Sequence, residues 1–274
     1  MDLKGAVLLF LTVRLVTKSF VFFLVSVFLV VSGSMAQEEQ QEAQPEQQLR
    51  ENDTVVFLGD SITKGGVRPG GYIELASEAV EAAYPEMNIR LIGAGVGGHK
   101  VSNCLGRLER DVLKREPDVV VIYIGINDVW HWTLPNVIER GDRGTTPEEF
   151  RAGLVSMIQQ INDVGARVIL CTPTVIGEKH DGSNRMDEML EQFAGISRDV
   201  AEESGAQLLD LRAAFLEYLA EHNPENVDRG ILTRDSVHLN GKGNAFLSGL
   251  MLKALNVPVG ENKEDADKAA KPAK

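Results

Sequence analysis

Two short segments at opposite ends of the sequence carry residue types that together could perform nucleophilic chemistry. Ser61 closes a Gly-Asp-Ser sequence after an apolar run, and Asp235 precedes His238 by three residues. A serine nucleophile needs a base to accept its proton and an acid to orient that base. We therefore interpret Ser61, His238 and Asp235 as these three groups. Taken alone, Gly-Asp-Ser also fits an ordinary turn, and the remaining segments decide between the two interpretations.

Two further segments supply donors for the negative charge that develops on a carbonyl oxygen during acyl transfer. The glycine-rich segment 93–98 and the Gly-Ile-Asn-Asp sequence that contains Asn127 each follow an apolar run. Backbone N–H groups at Ser61 and Gly98 and the amide of Asn127 are predicted to form the oxyanion hole. A glycine lets the backbone approach the substrate, and a neutral amide donates at every pH.

The elements that must position these residues alternate between strand and helix. Apolar runs predict strands at 54–58, 88–92, 118–124, 166–171 and 206–209. Helical spacing predicts helices at 72–84, 101–115, 146–164, 183–204, 211–222 and 241–255. This alternation predicts an α/β fold with three layers, in which helices cover a five-stranded parallel sheet of flavodoxin-like order 2-1-3-4-5. Ser61, segment 93–98 and the sequence that contains Asn127 each follow a predicted strand, so these three segments are expected to meet at one edge of the sheet.

In this order, the four segments resemble the SGNH hydrolases, also called GDSL esterases and lipases. The matching sequences are Gly59-Asp60-Ser61-Ile62, Gly98 in the glycine-rich turn, Gly125-Ile126-Asn127-Asp128 and Asp235-Ser236-Val237-His238. The resemblance implies a serine hydrolase of carboxylic esters. It assigns the family's four named residues to Ser61, Gly98, Asn127 and His238, with Asp235 as the third member of the triad.

The resemblance also selects Gly98 from the several glycines of its segment. Gly98 is followed by polar residues and then by a helical pattern that ends in Arg107-Leu108, as in the family. Two positions depart from the family pattern, since Ile126 replaces a common glycine and Gly93 a frequent asparagine. Neither departure removes a catalytic group, although Ile126 could narrow the pocket.

Neither a cofactor nor a metal ion is expected. Gly93, Gly95 and Gly98 fit a dinucleotide-binding fingerprint, but that fingerprint normally occupies the first strand-to-helix turn, and this one occupies the second. No Cys/His cluster has metal-ligand spacing. Cys104 and Cys171 are interpreted as buried thiols rather than disulfide partners.

The ends of the chain differ in composition from its middle. Residues 1–36 are interpreted as a signal peptide, because cationic residues precede an apolar run at 20–31 and Ser34-Met35-Ala36 resembles a cleavage site. An uncleaved membrane anchor is the alternative. A Glu/Gln-rich linker is predicted at 37–52, the hydrolase domain at 53–259 and a disordered tail at 260–274. Export predicts a secreted or periplasmic protein.

The net charge restricts the possible partners. It is −12 for the chain and +2 for the first 36 residues, which leaves −14 for the exported part. Such acidity disfavours nucleic acid and anionic membrane surfaces, so any membrane contact is expected only through an uncleaved N-terminal segment. The expected partner is a small-molecule or polysaccharide ester.

The long segment 129–146 is predicted to be irregular and to rise from the active edge of the sheet. It contains Trp130, His131 and Trp132, which are candidates for substrate binding. Either tryptophan could instead pack on its own scaffold, and His131 could lie at the surface. The mixed polar composition favours a short acyl ester, acetyl above all, on a carbohydrate. The alternatives are a lysophospholipase or thioesterase for longer acyl chains and a catalytically silent surface-binding module.

Overall fold

A five-stranded parallel sheet forms the centre of the computed structural model, which describes residues 48–139 and 141–258. Its strands are β1 (Thr54–Gly59), β2 (Arg90–Gly95), β3 (Val119–Tyr123), β4 (Arg167–Cys171) and β5 (Gln207–Leu209). Their order is β2-β1-β3-β4-β5, and every neighbouring pair is parallel, which confirms the predicted fold and topology. β1 and β3 are buried along their whole length, as central strands covered on both faces must be.

Helices cover both faces of this sheet. They are α1 (Ser61–Gly66), α2 (Tyr72–Ala83), α3 (Val101–Asp111), α4 (Ile126–Trp130), α5 (Pro135–Ile138), α6 (Pro147–Asp163), α7 (Asp187–Ser204), α8 (Leu211–His222) and α9 (Gly241–Ala254). A short 3₁₀ turn, Leu113–Arg115, follows α3. α2 packs against α9, while α6 packs against both α3 and α7. With right-handed crossovers, this strand order puts the two groups of helices on opposite faces.

Strand β2 differs from its predicted bounds, because it includes the first glycines of the glycine-rich segment. A Cβ at Gly93 would lie 2.3 Å from Val67 Cγ1, and one at Gly95 would lie 2.1 Å from Lys64 N. Helix α1 and the residue after it therefore pack so closely on β2 that a side chain has no room. Close packing accounts for these two glycines, and a dinucleotide-binding turn is not needed to explain them.

The irregular segments also differ from the prediction. Segment 129–146 contains the end of α4 and all of α5, whereas the residues from Ser61 onward form the unpredicted helix α1. The longer irregular segments are 172–186 and 223–240, and the helix predicted from 183 begins at Asp187. These two segments prove important for the active site.

The predicted signal peptide at 1–36, the tail at 260–274 and the linker up to residue 47 lie outside the described residues. The last five linker residues are ordered, because Leu49 is buried in the core and Asn52 N–H donates to Met87 O at 2.7 Å. Cys104 and Cys171 are free and buried, as predicted. In the part of the chain that the structure describes, every helix is too short or too polar to span a bilayer.

Candidate active site

The turn between β1 and α1 presents Ser61 at the carboxyl edge of the sheet. This turn is tight, since a Cβ on Gly59 would lie 2.0 Å from Thr63 Oγ1 and 2.8 Å from Tyr123 O. Asp60 caps the new helix by accepting the N–H of Ile62 on Oδ1 at 2.9 Å. Asp60 thus shapes the turn, and Ser61 becomes the first helical residue.

Ser61, His238 and Asp235 lie within hydrogen-bonding distance in the order that nucleophilic catalysis requires. Ser61 Oγ is 2.9 Å from His238 Nε2, and His238 Nδ1 is 2.9 Å from Asp235 Oδ2. The backbone N–H of His238 also donates to Asp235 Oδ1 at 2.7 Å. Burial acts to raise the pKa of Asp235, but the hydrogen bonds from His238 outweigh it and hold that pKa below its ordinary value. Asp235 therefore stays ionised and can orient the imidazole that would deprotonate Ser61.

Asp235 and His238 belong to the irregular segment 223–240, which is held by a buried carboxylate. The completely buried Glu178 accepts the N–H groups of Ile231 and Leu232 at 2.7 Å each, and also that of Thr233. Glu178 lies in the other irregular segment, 172–186, so the two irregular segments stabilise each other. The sequence pattern did not identify this residue, because an isolated glutamate between a predicted strand and a predicted helix gives no sign that it will be buried.

A second connection joins the same two segments beside the catalytic pair. Gly177 N–H donates to the carbonyl oxygen of Ser236 at 2.8 Å, and Ser236 Oγ donates to Asp228 Oδ2 at 2.6 Å. Ser236 lies between Asp235 and His238 in the chain and has a φ of +77°. This left-handed conformation allows the backbone to turn so that His238 faces Asp235.

The predicted oxyanion donors come from three neighbouring turns. Within the described residues, the backbone N–H groups of Ser61 and Gly98 have no hydrogen-bond acceptor. Asn127 Nδ2 donates to Asp60 Oδ2 at 3.2 Å and to His99 O at 3.1 Å, so both neighbours of the amide nitrogen are acceptors. These contacts fix the orientation of the amide, with its NH₂ group toward the turns that carry Ser61 and Gly98. To donate to an oxyanion as well, Asn127 must share one of its two Nδ2 hydrogens between the oxyanion and the present acceptor.

Arg107 connects the strand ends beneath these donors. This buried side chain donates to Gly59 O at 2.7 Å, to Ala94 O at 2.8 Å and to His99 Nδ1 at 3.0 Å. It therefore binds the carboxyl ends of β1 and β2 and the glycine-rich turn at once. Burial, with a contribution from Arg107, lowers the pKa of His99. In the sequence Arg107 is recognisable only as part of a motif, whereas the structure gives it this positioning role.

Two buried carboxyl groups lie at the centre of the donor region. Burial raises the pKa of Asp60 to about 7, and the nearby Asp128 contributes further, against the opposing effects of the Ile62 N–H and Arg107. Burial likewise raises the pKa of Asp128 to about 6, although Asp128 Oδ1 accepts the N–H of Val101 at 3.0 Å. Both carboxyl groups therefore lose their protons nearer to neutral pH than an exposed aspartate does.

The three substrate-binding candidates of segment 129–146 are not gathered around Ser61. Trp130 packs edge-on against the His238 ring, with 6.3 Å between the ring centroids. His131 is buried, and its Nδ1 lies 3.5 Å from Asp142 Oδ2. Trp132 Nε1 donates to Thr145 O at 3.2 Å within its own segment. Trp130 therefore contacts the proposed catalytic base, whereas Trp132 and His131 have contacts within their own segment.

A cleft of about 330 Å³ opens beside Ser61, and its lining also includes Lys64, Gly65, residues 68–71, Gly97, Arg234, His238 and Asn244. It lies at the lower end of the range for ligand pockets, about 300–1,000 Å³. Among the residues that the structure describes, no three His, Cys, Asp or Glu side chains are grouped to bind a metal ion.

Comparison with known proteins identifies the family. Residues 57–246 match the model of the GDSL-like lipase/acylhydrolase family. The chain belongs to this family. Like its members, which are also called SGNH hydrolases, it is an esterase that hydrolyses carboxylic ester bonds, and the resemblance inferred from the four segments is confirmed.

Two curated members of the family extend over most of the domain. An acetylxylan esterase from Geobacillus stearothermophilus is 32% identical over 216 residues, which cover 74% of this chain and 94% of that relative. An isoamyl acetate-hydrolyzing esterase 1 homolog from Homo sapiens is 27% identical over 206 residues, which cover 70% of this chain and 77% of that relative.

Solved structures of the family are similar to the same region. The crystal structure of an acetyl xylan esterase has 45% sequence identity and a TM-score of 0.69, and covers 74% of this chain and 99% of its own. An acetylxylan esterase from Geobacillus stearothermophilus has 28% identity and a TM-score of 0.68, and covers 78% of this chain and 100% of its own. Catalytic mutants of that enzyme replace a serine, an aspartate or a histidine with alanine, and the latter two are three positions apart.

Proposed function

We propose that this protein is an exported serine esterase that removes short acyl groups, acetyl above all, from carbohydrates. The observation that carries the proposal is the chain of hydrogen bonds from Ser61 through His238 to Asp235, beside two backbone N–H groups that have no acceptor among the residues the structure describes. Relatives named for the hydrolysis of acetyl esters support the choice of acyl group. The serine, aspartate and histidine of the catalytic mutants support the roles of the three side chains, because their aspartate and histidine have the same spacing.

In the proposed reaction, Ser61 Oγ attacks the ester carbonyl carbon while His238 Nε2 accepts the hydroxyl proton. The resulting oxyanion is stabilised by the N–H groups of Ser61 and Gly98 and by the amide of Asn127. His238 then donates its proton to the departing alcohol, which leaves an acyl group on Ser61. Water attacks this acyl-enzyme by the same route, and Asp235 orients the imidazole throughout.

A series of acyl esters that differ only in chain length tests the choice of acyl group. In an apolar acyl pocket, each added methylene would contribute up to about 0.8 kcal/mol of binding. We expect kcat/KM to fall from acetyl to octanoyl nitrophenyl esters, and acetate to be released from acetylated xylan. A steady rise with chain length, without acetate release, would favour a lysophospholipase or thioesterase. A complete lack of hydrolysis would favour the surface-binding module.

The proposed export has a separate test, because it depends on residues 1–36. N-terminal sequencing of the native protein is expected to read from about Gln37, and cell fractionation to find the protein outside the cytoplasm. A sequence that reads from Met1 would contradict cleavage and leave the membrane-anchored alternative.

A further inference from the structure

The cleft beside Ser61 carries the opposite charge to the chain as a whole. The chain has 40 Asp and Glu residues against 28 Lys and Arg residues. Nevertheless, the residues that line the cleft include three cations, Lys64, Arg68 and Arg234, and no Asp or Glu. A cleft lined by one sign of charge raises the local concentration of ligands of the opposite sign. This cleft is therefore suited to an anionic ligand.

Two of the three cations have no neutralising partner in the part of the chain that the structure describes. Arg234 Nε lies 3.6 Å from Asp235 Oδ2, so the charge of Arg234 is partly offset. Within the described residues, the exposed side chains of Lys64 and Arg68 have neither a hydrogen bond nor an ion pair. Glu74, which follows Arg68 along the chain, directs Oε2 to the backbone N–H of Gly70 at 2.9 Å. Lys64 and Arg68 therefore remain available to a ligand.

The backbone holds both residues at the cleft. Lys64 is three residues after Ser61 in α1, and this spacing puts the two side chains on the same face of the helix. Arg68 begins a tight turn in which Gly71 N–H donates to Arg68 O at 2.7 Å. Pro69 and Gly70, with a φ of +75°, occupy the central positions that a type II turn requires. The backbone that carries each cation is therefore held in a regular conformation beside Ser61.

We propose that the substrate is an acetyl ester of an acidic carbohydrate, whose carboxylate is bound by Lys64 and Arg68. This inference rests on the proposed function, since it specifies the carbohydrate that carries the acetyl group. The acetyl ester itself is uncharged, so the reaction at its carbonyl does not explain two unpaired cations. A uronate carboxylate on the same substrate does, because it accepts hydrogen bonds from both ammonium and guanidinium groups.

The family offers a contrast at the third cation. In the acetyl-xylooligosaccharide esterase from Geobacillus stearothermophilus, a tryptophan occupies the position immediately before the catalytic aspartate. Arg234 occupies the position immediately before Asp235 in this chain. An aromatic residue at this position of the relative thus corresponds to a third cation at the cleft of this protein.

A matched pair of substrates tests the inference with the full chain. The acidic substrate is a mono-O-acetylated methyl glucuronoside, and the neutral substrate is the methyl glucoside acetylated at the same position. At pH 7 and low ionic strength, we expect kcat/KM to be about tenfold higher for the acidic substrate, since each exposed ion pair contributes up to about fivefold. Screening by 0.5 M salt, at which the Debye length is about 4 Å, should reduce the ratio several-fold.

Substitutions then test the two cations. In the double variant K64Q/R68Q, we expect the ratio of the two kcat/KM values to fall toward one. The control is Lys114→Gln, which removes an exposed cation from the 3₁₀ turn before β3, at the opposite edge of the sheet, and should leave the ratio unchanged. Equal hydrolysis of both substrates by the wild type, or a ratio that the double variant does not change, would overturn the inference. Failure to hydrolyse either substrate would instead contradict the proposed function.

Discussion

Ser61 and His238 meet at one hydrogen bond, but different kinds of structure bring them there. Ser61 stands at the junction of a buried strand and a helix, and Asp60 and Arg107 hold that junction. His238 lies in the irregular segment 223–240, which is held by contacts with the irregular segment 172–186, including three hydrogen bonds to the carboxylate of Glu178. The nucleophile thus depends on the sheet, whereas the base depends on contacts between two irregular segments.

Because of this difference, a substitution on the nucleophile side should delete a functional group and leave its surroundings in place. A substitution on the base side should displace the catalytic groups from their positions. On the nucleophile side, the strand and its neighbours remain in place when a single functional group is deleted. On the base side, the loss of one acceptor leaves several buried N–H groups without partners, which costs about 1–3 kcal/mol for each group. Substitutions on the two sides should therefore differ in how activity and order change together.

The largest expected effect is on the nucleophile side. Ser61→Ala should lower kcat by at least about 10³, because it removes the attacking oxygen, while the melting temperature stays near that of the wild type. Steady-state kinetics and thermal unfolding measure the two quantities. A fluorophosphonate should label the wild-type protein at Ser61, and labelling at any other residue would contradict the assignment.

Asn127 gives the next largest effect on the same side. Asn127→Ala should lower kcat by about 10² to 10³ with little change in KM, because the amide stabilises charge that appears mainly in the transition state. The exposed Asn162 provides a control, and Asn162→Ala should leave kcat unchanged. A variant of Asn127 with near-wild-type kcat would show that the amide does not face the oxyanion.

On the base side, Glu178→Gln should change order and activity together. The new NH₂ group must face a backbone N–H that the carboxylate now accepts, so the free energy of unfolding should fall by about 2 kcal/mol. We expect kcat/KM to fall about tenfold and the amides of Ile231, Leu232 and Thr233 to exchange hydrogen faster, while the amides of β1 do not. Glu221→Gln, at an exposed glutamate, is the control. Equal rates of amide hydrogen exchange at these three residues in the variant and the wild type would contradict the proposal that Glu178 holds the base side in place.

The last expected effect is a pH dependence of stability at Asp60. Its pKa is raised from 3.8 to about 7 on folding, so the contribution of Asp60 to stability is largest below about pH 4, decreases as the pH rises from 4 to 7 and levels off above 7. Relative to the wild type, Asp60→Asn should therefore gain about 2–3 kcal/mol between pH 5 and pH 8. Urea unfolding at both pH values measures this difference.

Asp111 provides the matched control for this measurement. Its pKa is lowered to about 2, chiefly by a hydrogen bond from Arg110, so the group is ionised in both states from pH 5 to pH 8. Asp111→Asn should change stability by the same amount at both pH values. A flat difference for Asp60→Asn as well would show that Asp60 is ionised throughout this range.

The same contrast explains what could be predicted from the sequence. The strands that carry Ser61 and Asn127 are short apolar runs closed by glycine, and the fold and strand order follow from their alternation with helices. Helix α8 was predicted at 211–222 and occupies Leu211–His222. These features depend on local patterns, which a single sequence contains.

The features that the sequence did not predict depend on contacts between distant residues. The role of Glu178 depends on three N–H groups more than fifty residues away in the chain. The extension of β2 through Gly95 depends on the packing of α1 against it, and His131 and Trp132 have contacts with Asp142 and Thr145 of their own segment. None of these contacts leaves a periodic signal in the chain.

Ser236 limits which sequences can carry this active site. Its left-handed backbone favours glycine, asparagine and aspartate as replacements and opposes valine, isoleucine and threonine, whose branched Cβ is strained at positive φ. A β-branched replacement would separate Asp235 from His238 while leaving both side chains chemically intact. In a library of variants randomised at position 236, survivors selected for activity should therefore be confined to small residues and those that tolerate positive φ. Position 236 carries no catalytic group, so its backbone conformation, rather than its chemistry, would then restrict the residue types that an active protein can have there.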